Sequence, residues 1–129
     1  MANYPARSSG DQTINYLRAP LTFAIGNSGV VQVGTIPAGC AVLRVSTAVS
    51  TAFNAATTNT LKVGIVGSDA AISTTVSLSA LGSNIGTMAA PSASFIPTVD
   101  TPIIATSTST GAVATAGVGT VIVEYAPIA

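Results

Sequence analysis

Residues 34–67, GTIPAGCAVLRVSTAVSTAFNAATTNTLKVGIVG, carry the pattern that decides the fold. The stretch opens with a turn, Ile36-Pro37-Ala38-Gly39, and then alternates. Ala41, Leu43, Val45, Val49 and Phe53 share one parity, while Arg44, Ser46 and Ser50 share the other. Successive strand side chains point to opposite faces, so this reads as a half-buried strand with an apolar side and a polar side. After the polar break Thr57-Thr58-Asn59, Leu61, Val63 and Ile65 repeat the pattern against Lys62 and Gly64. Two such runs separated by a loop predict a β meander or the edge of a sandwich, and no helical period competes with them.

The same theme extends outward in both directions. Upstream, Leu21 to Ile25 and Val30 to Ile36 alternate on either side of Gly26-Asn27-Ser28-Gly29, a spacing that predicts a hairpin. Downstream, Gly67-Ser68-Asp69 supplies turn chemistry, and Val76 and Leu78 alternate with Ser77 and Ser79. Residues 70–80 thus favour a strand, with a helical turn at Asp69-Ala70-Ala71-Ile72 as the alternative. Asn84 to Met88 is a weak strand, and Phe95-Ile96-Pro97 belongs near a sheet edge, because proline cannot donate to a ladder. Pro102 to Thr110 and Val118 to Tyr125, joined by the small-residue loop 111–117, read as a second hairpin, with Val121, Val123 and Tyr125 inward and Thr120, Ile122 and Glu124 outward. The expected fold is all-β: a single-domain antiparallel β-sandwich over residues 21–129. Parity does not choose between immunoglobulin-like and jelly-roll strand order. Residues 1–20 alternate little and read as an extended N-terminal arm with a short helical turn at Ile14-Asn15-Tyr16-Leu17, ordered on docking to a partner.

Charge is scarce. Only 6% of the 129 residues are charged, against about 25% in ordinary soluble domains. The surface must instead be covered by 18 Thr, 14 Ser and many Ala. A nearly uncharged surface lacks self-repulsion and associates readily, which points to a subunit covered by its neighbours. Arg7, Arg18, Arg44 and Lys62 are too few and too scattered to neutralise a row of phosphates, so no nucleic acid partner is expected. No stretch approaches the roughly 18 apolar residues of a membrane-spanning helix, and no membrane partner is expected either. The N-terminus Met1-Ala2-Asn3-Tyr4-Pro5 lacks the apolar run of a signal peptide, so synthesis in the cytoplasm is expected.

Catalytic chemistry is poorly stocked. The chain has no histidine, which removes the commonest general base and the commonest metal ligand. Asp11, Asp69, Asp100 and Glu124 are far apart and mostly in turn contexts. Gly64-Ile65-Val66-Gly67 is not a dinucleotide fingerprint, since no helix follows. Cys40 stands alone at the start of the long strand, where a thiol acts as a small buried hydrophobe. The expectation is a protein that is not an enzyme, with no catalytic residues, no cofactor and no metal. The run Thr106-Ser107-Thr108-Ser109-Thr110 could display threonines to an ice lattice, but no repeat of fixed period accompanies it. Threonine is in any case a good strand former.

Taken together, several of these segments resemble a known family. The turn Ile36-Pro37-Ala38-Gly39 leads into a strand ending Thr51-Ala52-Phe53-Asn54. The strand Leu61-Lys62-Val63-Gly64-Ile65 follows, then Gly67-Ser68-Asp69-Ala70. The loop Ala114-Thr115-Ala116-Gly117 and the strand Gly119 to Tyr125 close the chain. In that order, over residues 30–125, the chain resembles the small β-sandwich structural proteins of tailed bacteriophages, in particular head decoration (cement) proteins. The resemblance implies a jelly-roll-like homotrimer on the outside of a phage head. Its partners would be copies of itself and the major capsid protein, and it would stabilise the head by bridging capsomers. Tyr4, Arg7, Tyr16 and Arg18 in the arm are then the expected capsid contacts, since Tyr and Arg are favoured at interface hot spots. The alternatives are a tail, fibre or minor coat component of the particle, or a carbohydrate-binding adhesion module. The last would stack sugars on exposed aromatics, and with no Trp and with Phe23, Phe53 and Tyr125 expected inward, few are left.

Overall fold

Valine, isoleucine and threonine fill the alternating runs, and their β-branched side chains favour extended backbone. In the computed structural model, which describes residues 14–89 and 95–128, they form strands β1 (Asn15–Thr22), β2 (Val30–Ile36), β3 (Cys40–Thr51), β4 (Thr58–Ile65), β5 (Ser68–Ser77), β6 (Gly82–Ile85), β7 (Thr87–Met88), β8 (Thr101–Thr110) and β9 (Val118–Pro127). A single 3-10 turn, Phe23–Ile25, follows β1.

The strands make two antiparallel sheets. Sheet A has the order β1-β9-β3-β6 and sheet B the order β2-β8-β4-β5-β7. The chain passes back and forth between them: β1 and β3 lie in sheet A, β2 and β4 in sheet B, and β8 in sheet B is followed by β9 in sheet A. This interleaving is the jelly-roll order, with β7 as a short extra edge strand. The expected antiparallel sandwich is therefore what forms, and of the two strand orders left open by parity it is the jelly roll.

The expected hairpins are corrected. Residues 21–36 and 102–125 each supply two alternating runs, but β1 and β2 lie in opposite sheets, as do β8 and β9. Consecutive strands do pair at β4 and β5, across the turn at Val66-Gly67. The helical turn expected at Ile14–Leu17 is also corrected. Asn15 to Thr22 pair residue for residue with β9, from Asn15 opposite Tyr125 to Thr22 opposite Val118. Residues 15–20, grouped above with the arm, are thus a strand of sheet A. The strand expected over Leu21 to Ile25 ends at Thr22, and Phe23 lies 41% exposed instead of inward. In residues 70–80 it is the strand reading that holds, as β5.

In β3 the register against β9 slips at two points, around Leu43 and around Ser50, and the first breaks the expected parity. Val42 lies opposite Tyr125 and Arg44 opposite Glu124, so Leu43 is an extra residue without a partner on β9. Such a bulge flips the parity of what precedes it. Val42 is therefore buried and Leu43 exposed, while Val45, Thr47 and Val49 keep the inward face. Beside the start of β3, Phe95 and Pro97 carbonyls accept the Val42 and Gly39 N–H groups (2.9 and 3.0 Å), which fits the sheet-edge reading of that segment. The weak strand over residues 84–88 is split between the two sheets. β6 pairs with β3, β7 pairs with β5, and the chain crosses the sandwich at Gly86. Gly86 donates its N–H to the Val45 carbonyl at 2.7 Å, and a Cβ there would lie 2.6 Å from Val76 Cγ2, so only glycine fits the crossing.

The core fills the space between the inner faces. Leu21, Val45, Val121 and Val123 come from sheet A; Ile36, Leu61, Val63, Ile72, Val76 and Ile103 come from sheet B. Each such side chain contributes about 1.5–3 kcal/mol when fully buried. Thr47 is buried among them, and its hydroxyl donates across the sandwich to the Ser77 carbonyl at 2.7 Å, which satisfies a polar group that would otherwise destabilise the core. Cys40 is buried and free, as expected of a small hydrophobe.

Candidate functional site

Alternation puts every second residue of sheet A on its outer face, and the register decides which of them meet. Glu124 of β9 lies between Tyr16 of β1 and Arg44 of β3; Ile122 lies between Arg18 and Ser46; Thr120 lies between Pro20 and Ala48. The Arg44 Nε donates to a Glu124 carboxylate oxygen, closing an ion pair across the strands. With Arg44 about half exposed, solvent screens that pair, and it fixes side-chain orientation more than it stabilises the fold. Arg18 has no carboxylate partner among the described residues, and Tyr16 is 58% exposed. These side chains, with Ser83 of β6, line a shallow concavity of about 460 Å³. Pro20, which has no N–H to offer, sits on β1, the edge strand.

Of the four residues expected to contact a partner, Tyr16 and Arg18 are thus brought together on one outer face. Tyr4 and Arg7 lie outside the described residues. Arg44 and Glu124 were missed as members of the same cluster. Both stand on the outward parity of their strands, but the sequence holds no signal that β3 and β9 are neighbours.

The outer face of sheet B carries a second, wider concavity of about 720 Å³ between Val30, Ile65, Ser68, Asp69, Ile104 and Thr106. The register slips between Val63 and Ile65, so the start of β5 bulges beside β4. Asp69 on this bulge faces Lys62 at 3.6 Å. Thr106 is buried, and its hydroxyl has no hydrogen-bond partner among the described residues. A flat, exposed row of threonines over 106–110 is therefore not what β8 presents.

The described carboxylates do not converge. Glu124 is held by Arg44, Asp69 faces Lys62, and Asp100 accepts the Ala38 N–H at 3.0 Å. Among the described residues no three His, Cys, Asp or Glu side chains gather as a metal site would require, and no helix is long and apolar enough to cross a membrane.

No protein-family profile matches the chain, and no curated protein sequence does. Solved structures do. A chain of the cyanophage Pam1 capsid asymmetric unit aligns over 99% of this chain and 94% of its own length, with a TM-score of 0.72 and 20% identity. A chain of the acid-stable capsid of the Helicobacter pylori bacteriophage KHP30 aligns over 87% of this chain and 86% of its own, with a TM-score of 0.60 and 19% identity. At this level of identity the likeness is one of fold, and it extends over nearly the whole jelly roll.

Proposed function

We propose that this chain is a structural protein of a phage particle, and specifically a head decoration subunit that binds the outside of the shell as a homotrimer and bridges neighbouring capsomers. The observation that carries the reading is the near full-length match of its jelly roll to chains from two phage capsid structures. Composition supports it from a different direction, because a chain with only 6% charged residues has a surface suited to dense packing among neutral partners. The mechanism is passive. Each subunit buries area against the major capsid protein and against its own copies, and symmetry multiplies each contact over the shell. Capsomers tied together this way separate only when several interfaces open at once.

The docking face in this reading is the outer side of sheet A, with Tyr16 and Arg18 as its anchors; Tyr4 and Arg7, outside the described residues, are the further expected contacts. A guanidinium without a carboxylate partner among the described residues can take a carboxylate of the shell protein in a bidentate pair.

The test is sedimentation of the purified chain with shells from the same phage that lack it. Saturable co-sedimentation, lost in Arg18→Glu and weakened in Tyr16→Ala, is the expected result. Binding unchanged in both variants would move the docking face elsewhere, and no binding by the wild-type chain would remove the head-decoration reading in favour of a tail or fibre role.

A further inference from the structure

Among the described residues the jelly roll has one uncharged end. The segments joining β1 to β2 (residues 23–29), β3 to β4 (52–57), β5 to β6 (78–81) and β8 to β9 (111–117) all emerge there, and none of their residues is charged. They are knitted into one surface. Phe23 N–H donates to the Gly117 carbonyl at 3.0 Å, Ala56 N–H to Ala112 at 3.1 Å and Phe53 N–H to Leu78 at 3.0 Å. The Asn54 carboxamide oxygen accepts the Thr115 and Ala116 N–H groups at 2.8 and 3.0 Å. Val113 projects from this surface at 85% exposure and Leu81 at 67%. Val113 itself lines a concavity of about 110 Å³, with Phe23, Ala55, Ala112 and Ala114 and the polar Asn27 and Ser109.

The described charges all lie outside these four segments. Arg44 and Glu124 pair next to Val42 and Tyr125, Arg18 is opposite Ile122, Lys62 and Asp69 flank the β4–β5 turn, and Asp100 precedes β8. The other end also exposes Val66 and Val99, but beside Asp69 and Asp100, so exposure of apolar side chains does not separate the two ends. Charge does.

We infer that the uncharged end is the surface through which copies of this chain pack around a closed rotation axis. At such an axis each side chain approaches its own counterpart, so every charge placed there meets a like charge. Like-charge juxtaposition in a contact is strongly unfavourable. Of the two ends, the one bearing Val113 and Leu81 can be placed at an axis without that penalty from the described residues, and Val113 on the rim of an uncharged hollow suits a head-to-tail contact that closes into a ring. Sheet A is left uncovered on its outer face for a different partner. This inference rests on the reading that the chain assembles with itself.

The experiment is light scattering on the full-length chain over a range of concentrations, with Val113→Glu and Leu81→Glu at the uncharged end and Val66→Glu as an equally exposed control at the other. Circular dichroism checks that each variant is folded. The expected result is a wild-type oligomer, retained in Val66→Glu, with the mass of the two other variants falling to the 12.6 kDa of one chain. A wild-type oligomer that persists in Val113→Glu and Leu81→Glu, or that is lost only in Val66→Glu, would overturn the assignment of the surface while leaving self-assembly intact. A monomeric wild type would overturn both. If that monomer loses shell binding on Val113→Glu, the uncharged end faces the shell instead of a second copy.

Discussion

The contact between Phe53 and Gly117 offers a test of the fold that does not depend on any partner. Phe53 is 5% exposed and closes the core beneath the β8–β9 loop. Gly117 has φ +155°, and a Cβ built on it would lie 2.6–2.9 Å from atoms of the Phe53 ring. Truncating a buried phenylalanine to alanine costs about 3–5 kcal/mol, from lost transfer free energy and from the cavity left behind. Gly117→Ala adds about 1–3 kcal/mol of overpacking against the ring, on top of about 1–3 kcal/mol of backbone strain. Removing the ring removes the overpacking but not the strain. The two substitutions should therefore be non-additive, with the double variant more stable than the sum of single effects predicts by about 1–3 kcal/mol. Urea denaturation at one fixed protein concentration, read by far-ultraviolet circular dichroism, gives the three differences. Additivity to within about 0.5 kcal/mol would refute the packing of Phe53 on Gly117.

Further outcomes follow from single contacts. Thr47→Val keeps shape but strips the Ser77 carbonyl of its cross-sheet donor, and should lower stability by about 1–3 kcal/mol in the same urea assay. Asn54→Ala removes its carboxamide's contacts to Thr115 and Ala116 and should lower stability by about 1–2 kcal/mol, with faster amide exchange confined to residues 111–117. Arg44→Met breaks only a screened surface ion pair, so its stability should change by less than about 1 kcal/mol. Arg18→Glu should leave the melting temperature within about 2 °C of wild type, since Arg18 is exposed and has no carboxylate partner among the described residues, so that lost shell binding can be read as lost contact and not as unfolding.

Alternation in the sequence is a local signal, and it was reliable where the physics is local. Val45, Val49, Leu61, Val63, Val121 and Val123 are buried as their parity requires. It failed where an inserted residue resets the count, as at Leu43, and where a strand is too polar to display its inward residues: β1 shows only Leu17, Ala19 and Leu21 to the core. Strand partnership is a tertiary property. Two runs joined by a short polar loop look like a hairpin whether they pair with each other or cross to opposite sheets, which is why both hairpins were misplaced while the sandwich was not. The candidate site shows the same division. Tyr16 and Arg18 were visible as residues unlike their surroundings, but their grouping with Arg44 and Glu124 depends on β9 lying between β1 and β3. The uncharged end is the extreme case, because four separate segments acquire a common character only once the jelly roll gathers them.

The proposed cement role makes a claim about the shell and not only about the subunit, so the most direct measurement is made on the shell. Particles of the same phage lacking this chain are heated in parallel with and without saturating purified protein, and release of packaged DNA is followed with an intercalating dye. The account predicts that the decorated shells open at a higher temperature, and that adding the Arg18→Glu variant gives no such rise. Equal opening temperatures at full occupancy would contradict it: the chain would then be a passenger on the particle and not its cement.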